Sequence, residues 1–306
     1  MSFLSLVVAL LLEQVRPLRQ DNQIHLWFTR YAMGLERQFN AGHDRDGVIG
    51  WLLAVLPAVA VVLVVNLLLY RVSMPLAWLW NVAVLYLTMG FRQFSHYFTE
   101  IMRALRDDEL TVARDYLGKW RGESVNEFNA GEIARVAIEQ GLVGAHKHVF
   151  GTIALFIVFG PAGAVLYRLA AMLNDKWGMR SDPEFGEFGR FAERVFYWLD
   201  WLPARLTAIS FAIVGNFEDA IYCWRTQALS WATHTHGIIL AAGAGALGVR
   251  LGDALHQYGT VQFRPEMGIG DEADVVYMHS TVGLIWRALV LWMFLLLLVT
   301  VAHSLG

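Results

Sequence analysis

The chain has 306 residues, of which 56% are hydrophobic and 17% charged, with a mean hydropathy of +0.43. Soluble domains carry about 25% charged residues, so the composition excludes an ordinary soluble protein, and the 13% of aromatic residues suits anchoring at membrane–water interfaces. A net charge of −3 offers no basic footprint for nucleic acid, and the single cysteine, Cys223, excludes an intramolecular disulfide and any cysteine-rich metal centre.

The apolar run 3–12 (FLSLVVALLL) is followed, not preceded, by charges, and lacks a small-residue cleavage site. It reads as a short, uncleaved first membrane helix, near 3–15. Residues 49–70 hold 22 positions without a charge, against roughly 20 needed to span a bilayer. Residues 74–91 form a second such run, and the intervening Arg71-Val72-Ser73 predicts a transmembrane hairpin with a tight connection. Residues 92–147 carry eight Lys/Arg, many acids and apolar positions at helical period, so they predict a polar helical layer outside the bilayer. A fourth membrane segment is expected near 148–170, kinked at Gly160-Pro161. The stretch 196–217 is apolar but contains Asp200, Pro203 and Arg205, which makes it a crossing, an interfacial or a re-entrant segment. Residues 237–249 are too short to span and rich in small residues, which favour close helix packing. A terminal span is expected near 281–303. Five Arg in 16–48 and the basic content of 92–147 place both on the cytoplasmic side, with the 71–73 turn outside.

Several polar residues invite a functional reading beside an ordinary one. Arg92 and His96, four apart, share a helical face, as an anion or proton site or as a solvated helix start. Asp200 and Arg205 suit either an internal charge pair or an interfacial kink with the arginine snorkelling. Glycines 243, 245, 248 and 252 suit a phosphate cradle and close helix packing equally well, and no phosphate-loop pattern surrounds them. The pairs His146/His148 and His234/His236 lack a second ligand cluster, so membrane-edge or loop histidines are favoured over a metal site. GIGDEAD (268–274) reads as a capped turn before the last helix.

Five segments together resemble the CobD/CbiB family of membrane proteins, which includes the AmpE branch. They are FRQFSHY (91–97), GEIARVAIEQ (131–140), GPAGAVLYRLAAMLND (160–175), LDWLPARLTA (199–208) and AAGAGALGVRLG (241–252). Their order and spacing agree with the family from about residue 3 to 300. The resemblance implies an adenosylcobinamide-phosphate synthase step. In it an aminopropanol, or its phosphate, is joined by an amide bond to adenosylcobyric acid with consumption of ATP, and Mg accompanies the nucleotide. It also implies a bacterial inner-membrane, multi-pass location, and a corrinoid or other anionic small molecule as ligand.

The departures fall on polar motifs. Val143-Gly144-Ala145-His146-Lys147-His148 stands where the family has a Glu-Asn-x-Ser-Asp-Gly stretch. Ala171-Met172-Leu173-Asn174-Asp175 stands for Asn-Thr-Leu-Asp-Ser, and Glu13 holds the approximate place of an early acid. Packing motifs kept and acids lost favour an AmpE-like signalling or regulatory protein, with the cobinamide-forming ligase as the alternative. The fold expected is an all-α integral membrane protein: one helical bundle of about four to six membrane segments with a polar cytoplasmic helical layer. Its small-residue helix faces suit a homodimer. The candidate ligand-binding residues are Arg92, His96, Arg135, Glu139, Asp200, Arg205 and Arg250; no metal ligands are expected, and ATP and Mg enter only with the ligase reading.

Overall fold

A computed structural model describes residues 2–15, 23–180, 182 and 185–305, about four-fifths of them helical. The chain divides into two compact units, residues 1–90 with 147–203 and residues 91–146 with 204–306. Three helical stretches meet the length and hydropathy of a membrane crossing, the second of them interrupted at Gly160: Asp44–Val72, Ala130–Gly178 and Val275–Ala302.

The first unit begins with α1 (Ser2–Val15), α2 (Gln23–Phe39), α3 (Asp44–Val72) and α4 (Met74–Thr88). At 29 residues α3 reaches about 43 Å, more than the ~30 Å hydrocarbon core. Ser73, extended at φ −163° and ψ 122°, breaks α3 from α4, and Pro75 occupies the first turn of α4, where its missing N–H costs nothing. The predicted tight connection between the two runs is therefore present, while α4, at 15 residues, is a shorter apolar helix and not among the stretches long enough to cross. Leu56, Val64, Leu67 and Leu68 of α3 are exposed, as lipid-facing side chains are, whereas Trp51 and Val55 pack with Leu173, Trp177 and Phe188 in the unit's core.

The apolar run expected near 148–170 is helical, as α8 (Gly151–Leu173), and it is folded back on itself. Gly160 adopts φ 63° and ψ −153°, a conformation essentially confined to glycine, and Pro161 follows it. A Cβ on Gly163 would lie 2.2 Å from the carbonyl oxygen of Leu155, and one on Gly151 would lie 2.0 Å from Tyr167 Oη. In a straight helix those pairs would be about 12 and 24 Å apart along the axis. The limbs 151–159 and 161–173 thus run antiparallel and in close contact, and only small residues at the crossing points allow it. Ile157, Val158 and Phe159 form an exposed apolar tip. π-helical turns at His146–Phe150 and Asn174–Gly178 flank the pair.

The second unit contains α5 (Phe91–Arg106), α6 (Leu110–Arg121), α7 (Ala130–Ala145), α10 (Phe217–Gln227), α11 (His234–Leu247) and α12 (Val275–Leu305). The region 92–147 is helical as expected, but α7 is not a surface layer. It is buried from Ile133 through Leu142, with the rings of Phe98 and Phe94 against Gly141 and Gly144. Its charged residues disguise a core helix, because each has a partner inside the unit. Most of α11 is buried too, and its glycines serve packing: a Cβ at Gly245 would strike the backbone of Asp219 at 2.5 Å. The capped turn before α12 is present, with Asp274 Oδ1 accepting from the Tyr277 N–H at 3.0 Å.

Four short strands depart from the all-helical expectation. Val249–Arg250 pairs in parallel with Asp271–Glu272, and Leu255–Gln257 pairs antiparallel with Thr260–Gln262. Tyr258 and Gly259 turn the latter hairpin with φ of 55° and 68°, both left-handed. A tyrosine there is strained, so Tyr258→Asn should stabilise the protein by about 0.5 kcal/mol in a denaturant titration. A loss of stability would mean that the ring of Tyr258 carries a contact worth more than the strain.

The stretch 196–217 lies in α9 (Arg190–Val214), which contributes to both units and is not among the stretches long and apolar enough to cross. Trp198, Leu202, Leu206, Ile209 and Ile213 form an exposed apolar stripe, while Asp200, Ala204, Thr207 and Phe211 are buried. The charges that made this segment ambiguous therefore belong to a two-faced helix.

Candidate functional site

The second unit holds an open basin of about 260 Å³ whose wall is mostly polar. It is built where the start of α7 meets the segment 249–273. Asn129 caps α7 by accepting the Glu132 N–H at 2.8 Å, and the Glu132 carboxylate reaches back to the Asn129 N–H at 2.8 Å. The second Glu132 oxygen accepts both the backbone N–H of His256, at 3.1 Å, and its ring Nδ1, at 2.7 Å. Glu132 is buried, whereas the imidazole opens to the basin with 59% of its side chain exposed.

One turn further along α7, Arg135 donates to Asp253 Oδ2 at 3.1 Å and to the Ala254 carbonyl at 2.6 Å. The Asp253 carboxyl is held below the usual carboxylate range by the N–H of Ala254, with Arg135 reinforcing it. Next comes Glu139, buried, which accepts the Gly252 N–H at 2.8 Å and a two-pronged pair of bonds from Arg264 at 2.6 and 3.0 Å. Arg264 also donates to the Gly252 carbonyl at 2.8 Å and lies over the Trp231 ring at 5.5 Å. Residues 132, 135 and 139 follow the helical i, i+3, i+7 pattern, so one face of α7 pins the whole loop. Gly252, at φ 74°, permits this because a Cβ there would lie 1.9 Å from the Pro265 carbonyl oxygen. Arg250, half exposed beside Glu272 at 3.5 Å, completes the cationic side, and Glu266 stands on the acidic side.

The structure brings three of the seven expected residues to this locus: Arg135 and Arg250 line the basin and Glu139 fixes its wall. The other four are elsewhere. His96 is exposed on α5, its ring 5.9 Å from that of Tyr97; Arg92 is helical, but its side chain lies outside the described residues. Arg205 is half-buried on α9 and does not line the basin. Asp200 belongs to the first unit, where its buried carboxylate accepts the Tyr167 hydroxyl at 2.8 Å. Around it, Arg168 donates to His148 Nδ1 at 2.7 Å, and the Lys147 ammonium donates to both oxygens of Asp175. This polar cluster joins the two limbs of α8 at their base. His146 and His148 have separate partners, the former Thr207 Oγ1 at 3.0 Å.

Sequence reasoning missed Glu132, Asp253, His256 and Arg264. The Asn129-x-x-Glu132 spacing before an apolar run is a capping-box signal that would have marked Glu132. The other three have no local signature.

A resident divalent cation does not fit these residues. Among the described residues no three His, Cys, Asp or Glu side chains are placed to share an ion, and Glu139 and Asp253 are both committed to arginine. The mixed-sign wall suits instead a small ligand that carries both an anionic and a cationic group.

Comparison with known proteins agrees with this architecture in extent. The family model described as CobD/Cbib protein matches residues 6–300. A protein of Stutzerimonas stutzeri named cobalamin biosynthesis protein CobD is 35% identical over 96% of this chain and 97% of its own. One of the same name from Chromobacterium violaceum is 36% identical over 69% of this chain and 67% of its own. Another, from Listeria monocytogenes, is 25% identical over 69% and 72%. No solved structure matches. These names favour the biosynthetic alternative over the regulatory reading of the sequence. The chain is a membrane-spanning member of the CobD/CbiB family.

Proposed function

We propose that this protein acts in cobalamin biosynthesis at the inner membrane, forming the amide between a corrinoid carboxylate and aminopropanol or its phosphate ester, with the carboxylate activated by ATP. The observation that carries the reading is the near end-to-end relationship to a protein named for cobalamin biosynthesis. The basin supplies chemistry that such a step uses. Arg135 and Arg250 offer fixed donors to a phosphate or carboxylate, and Glu266 and Glu272 offer acceptors to an ammonium.

The test is direct. Protein purified in detergent is incubated with adenosylcobyric acid, ATP, magnesium and either aminopropanol or its phosphate, and the corrinoid mass is followed. A gain corresponding to the amide supports the reading. No product, and no thermal shift with corrinoid and nucleotide together, overturns it in favour of a regulatory membrane protein. One observation favours that second reading: Val143 and Lys147 stand where the family resemblance places acids, and Lys147 neutralises Asp175.

A further inference from the structure

We infer that Glu132 and His256 form a general-base dyad, in which His256 Nε2 takes the proton from the incoming amine and Glu132 positions the ring. The inference rests on the amide-forming reading above and names the proton acceptor for it.

The geometry is that of a histidine locked in one orientation. The buried Glu132 oxygen lies 2.7 Å from Nδ1 and, as a carboxylate, can only accept, so Nδ1 carries its hydrogen. The lone pair of the neutral ring is then on Nε2, for which no protein partner occurs among the described residues, and the exposed edge of the imidazole faces the basin. Glu132 is itself immobile. It accepts from Asn129 N–H, His256 N–H and His256 Nδ1, which ties the helix start, the strand and the ring to one carboxylate. A histidine serving only as a staple would not need its second nitrogen left open on a cavity. The charged groups that face it are Glu132 and Arg135 from α7, Arg250 from the parallel strand, Asp253 from the loop, and Glu266 and Glu272 from the far wall.

An amine reaches the site as an ammonium and is not nucleophilic until it loses a proton. Nε2 accepts that proton as the nitrogen lone pair forms the C–N bond to the activated carboxyl carbon. The C–O bond to the phosphate leaving group breaks, phosphate departs with the electron pair, and the remaining extra proton on the newly bonded nitrogen passes to that phosphate, which leaves a neutral amide. The imidazolium then releases its proton to the phosphate or to water. The nucleoside triphosphate supplies the phosphoryl group, so atoms and charge balance.

The experiment compares unaltered protein with His256→Gln and His256→Ala across pH in the amide-forming assay. Rates of the unaltered protein should fall on acidification, as Nε2 takes up a proton. His256→Gln, which keeps a donor to Glu132, should lose roughly 100-fold in kcat with little change in KM for the amine, and should lose that acid limb. Added imidazole should restore part of the rate to His256→Ala. His256→Gln with an unchanged rate and pH profile overturns the dyad and leaves the amide-forming reading standing. Absence of any amide from the unaltered protein overturns both.

Discussion

Gly151→Ala should destabilise the protein by about 3 kcal/mol or more, one of the two largest single-residue effects expected here. The added Cβ would lie 2.0 Å from Tyr167 Oη and 2.1 Å from Cζ, so the ring must leave its place. Tyr167 is fully buried and donates to the buried Asp200, so displacing it also deprives that carboxylate of this donor. Tyr167→Phe removes the hydroxyl alone and should cost about 2 kcal/mol, as expected for a hydrogen bond to a charged group. The two effects can be separated by a rescue. In a Tyr167→Leu background the space is free, and Gly151→Ala should then cost less than 1 kcal/mol, within the range of a tolerated core exchange. Unfolding in mixed micelles with increasing dodecyl sulfate measures all four proteins. Equal costs for Gly151→Ala in both backgrounds would show that the limbs of α8 do not meet at this point.

The second large effect belongs to Glu139. Replacing it by Leu leaves the Arg264 guanidinium in a largely buried place without its two-pronged partner and leaves the Gly252 N–H without its acceptor. The expected cost is about 3 kcal/mol, because removing one half of a buried ion pair strands the other. Glu139→Leu combined with Arg264→Met should be more stable than Glu139→Leu alone, since no isolated charge then remains. Limited proteolysis within 249–270 should accelerate in the single variant, because Glu139 and Arg264 together hold both ends of that loop. A Glu139→Leu protein as stable and as protease-resistant as the parent would remove the case that this face of α7 builds the basin.

The sequence made some of this plain. The paired runs 49–70 and 74–91 are uniform in hydropathy and separated by a break that Ser73 and Pro75 enforce locally, so helix and turn are decided by neighbours along the chain. The depth of α7 was hidden for the opposite reason. Glu132, Arg135 and Glu139 look solvated until the partners His256, Asp253 and Arg264 are brought up from more than 110 positions away. Arg135, Glu139 and Arg250 were marked as candidates because they stand in segments that resemble a family. His256 and Arg264 stand in none and carry no period or cap of their own. α9 misled because its buried and exposed faces alternate within one turn, so Asp200 and Trp198 average to an indecisive hydropathy.

The reversal at Gly160 bears on how the whole chain is threaded. Straightened, the 23 residues of α8 would reach about 35 Å, enough to cross the hydrocarbon core in one pass. Folded back, the same residues return to the face they left. One dihedral pair therefore decides whether the end of α8 returns to its own beginning, where Lys147 meets Asp175 and His148 meets Arg168, or lies far from it. A residue with a Cβ at position 160 disfavours that dihedral pair and so would draw apart the contacts of Lys147 with Asp175 and of His148 with Arg168.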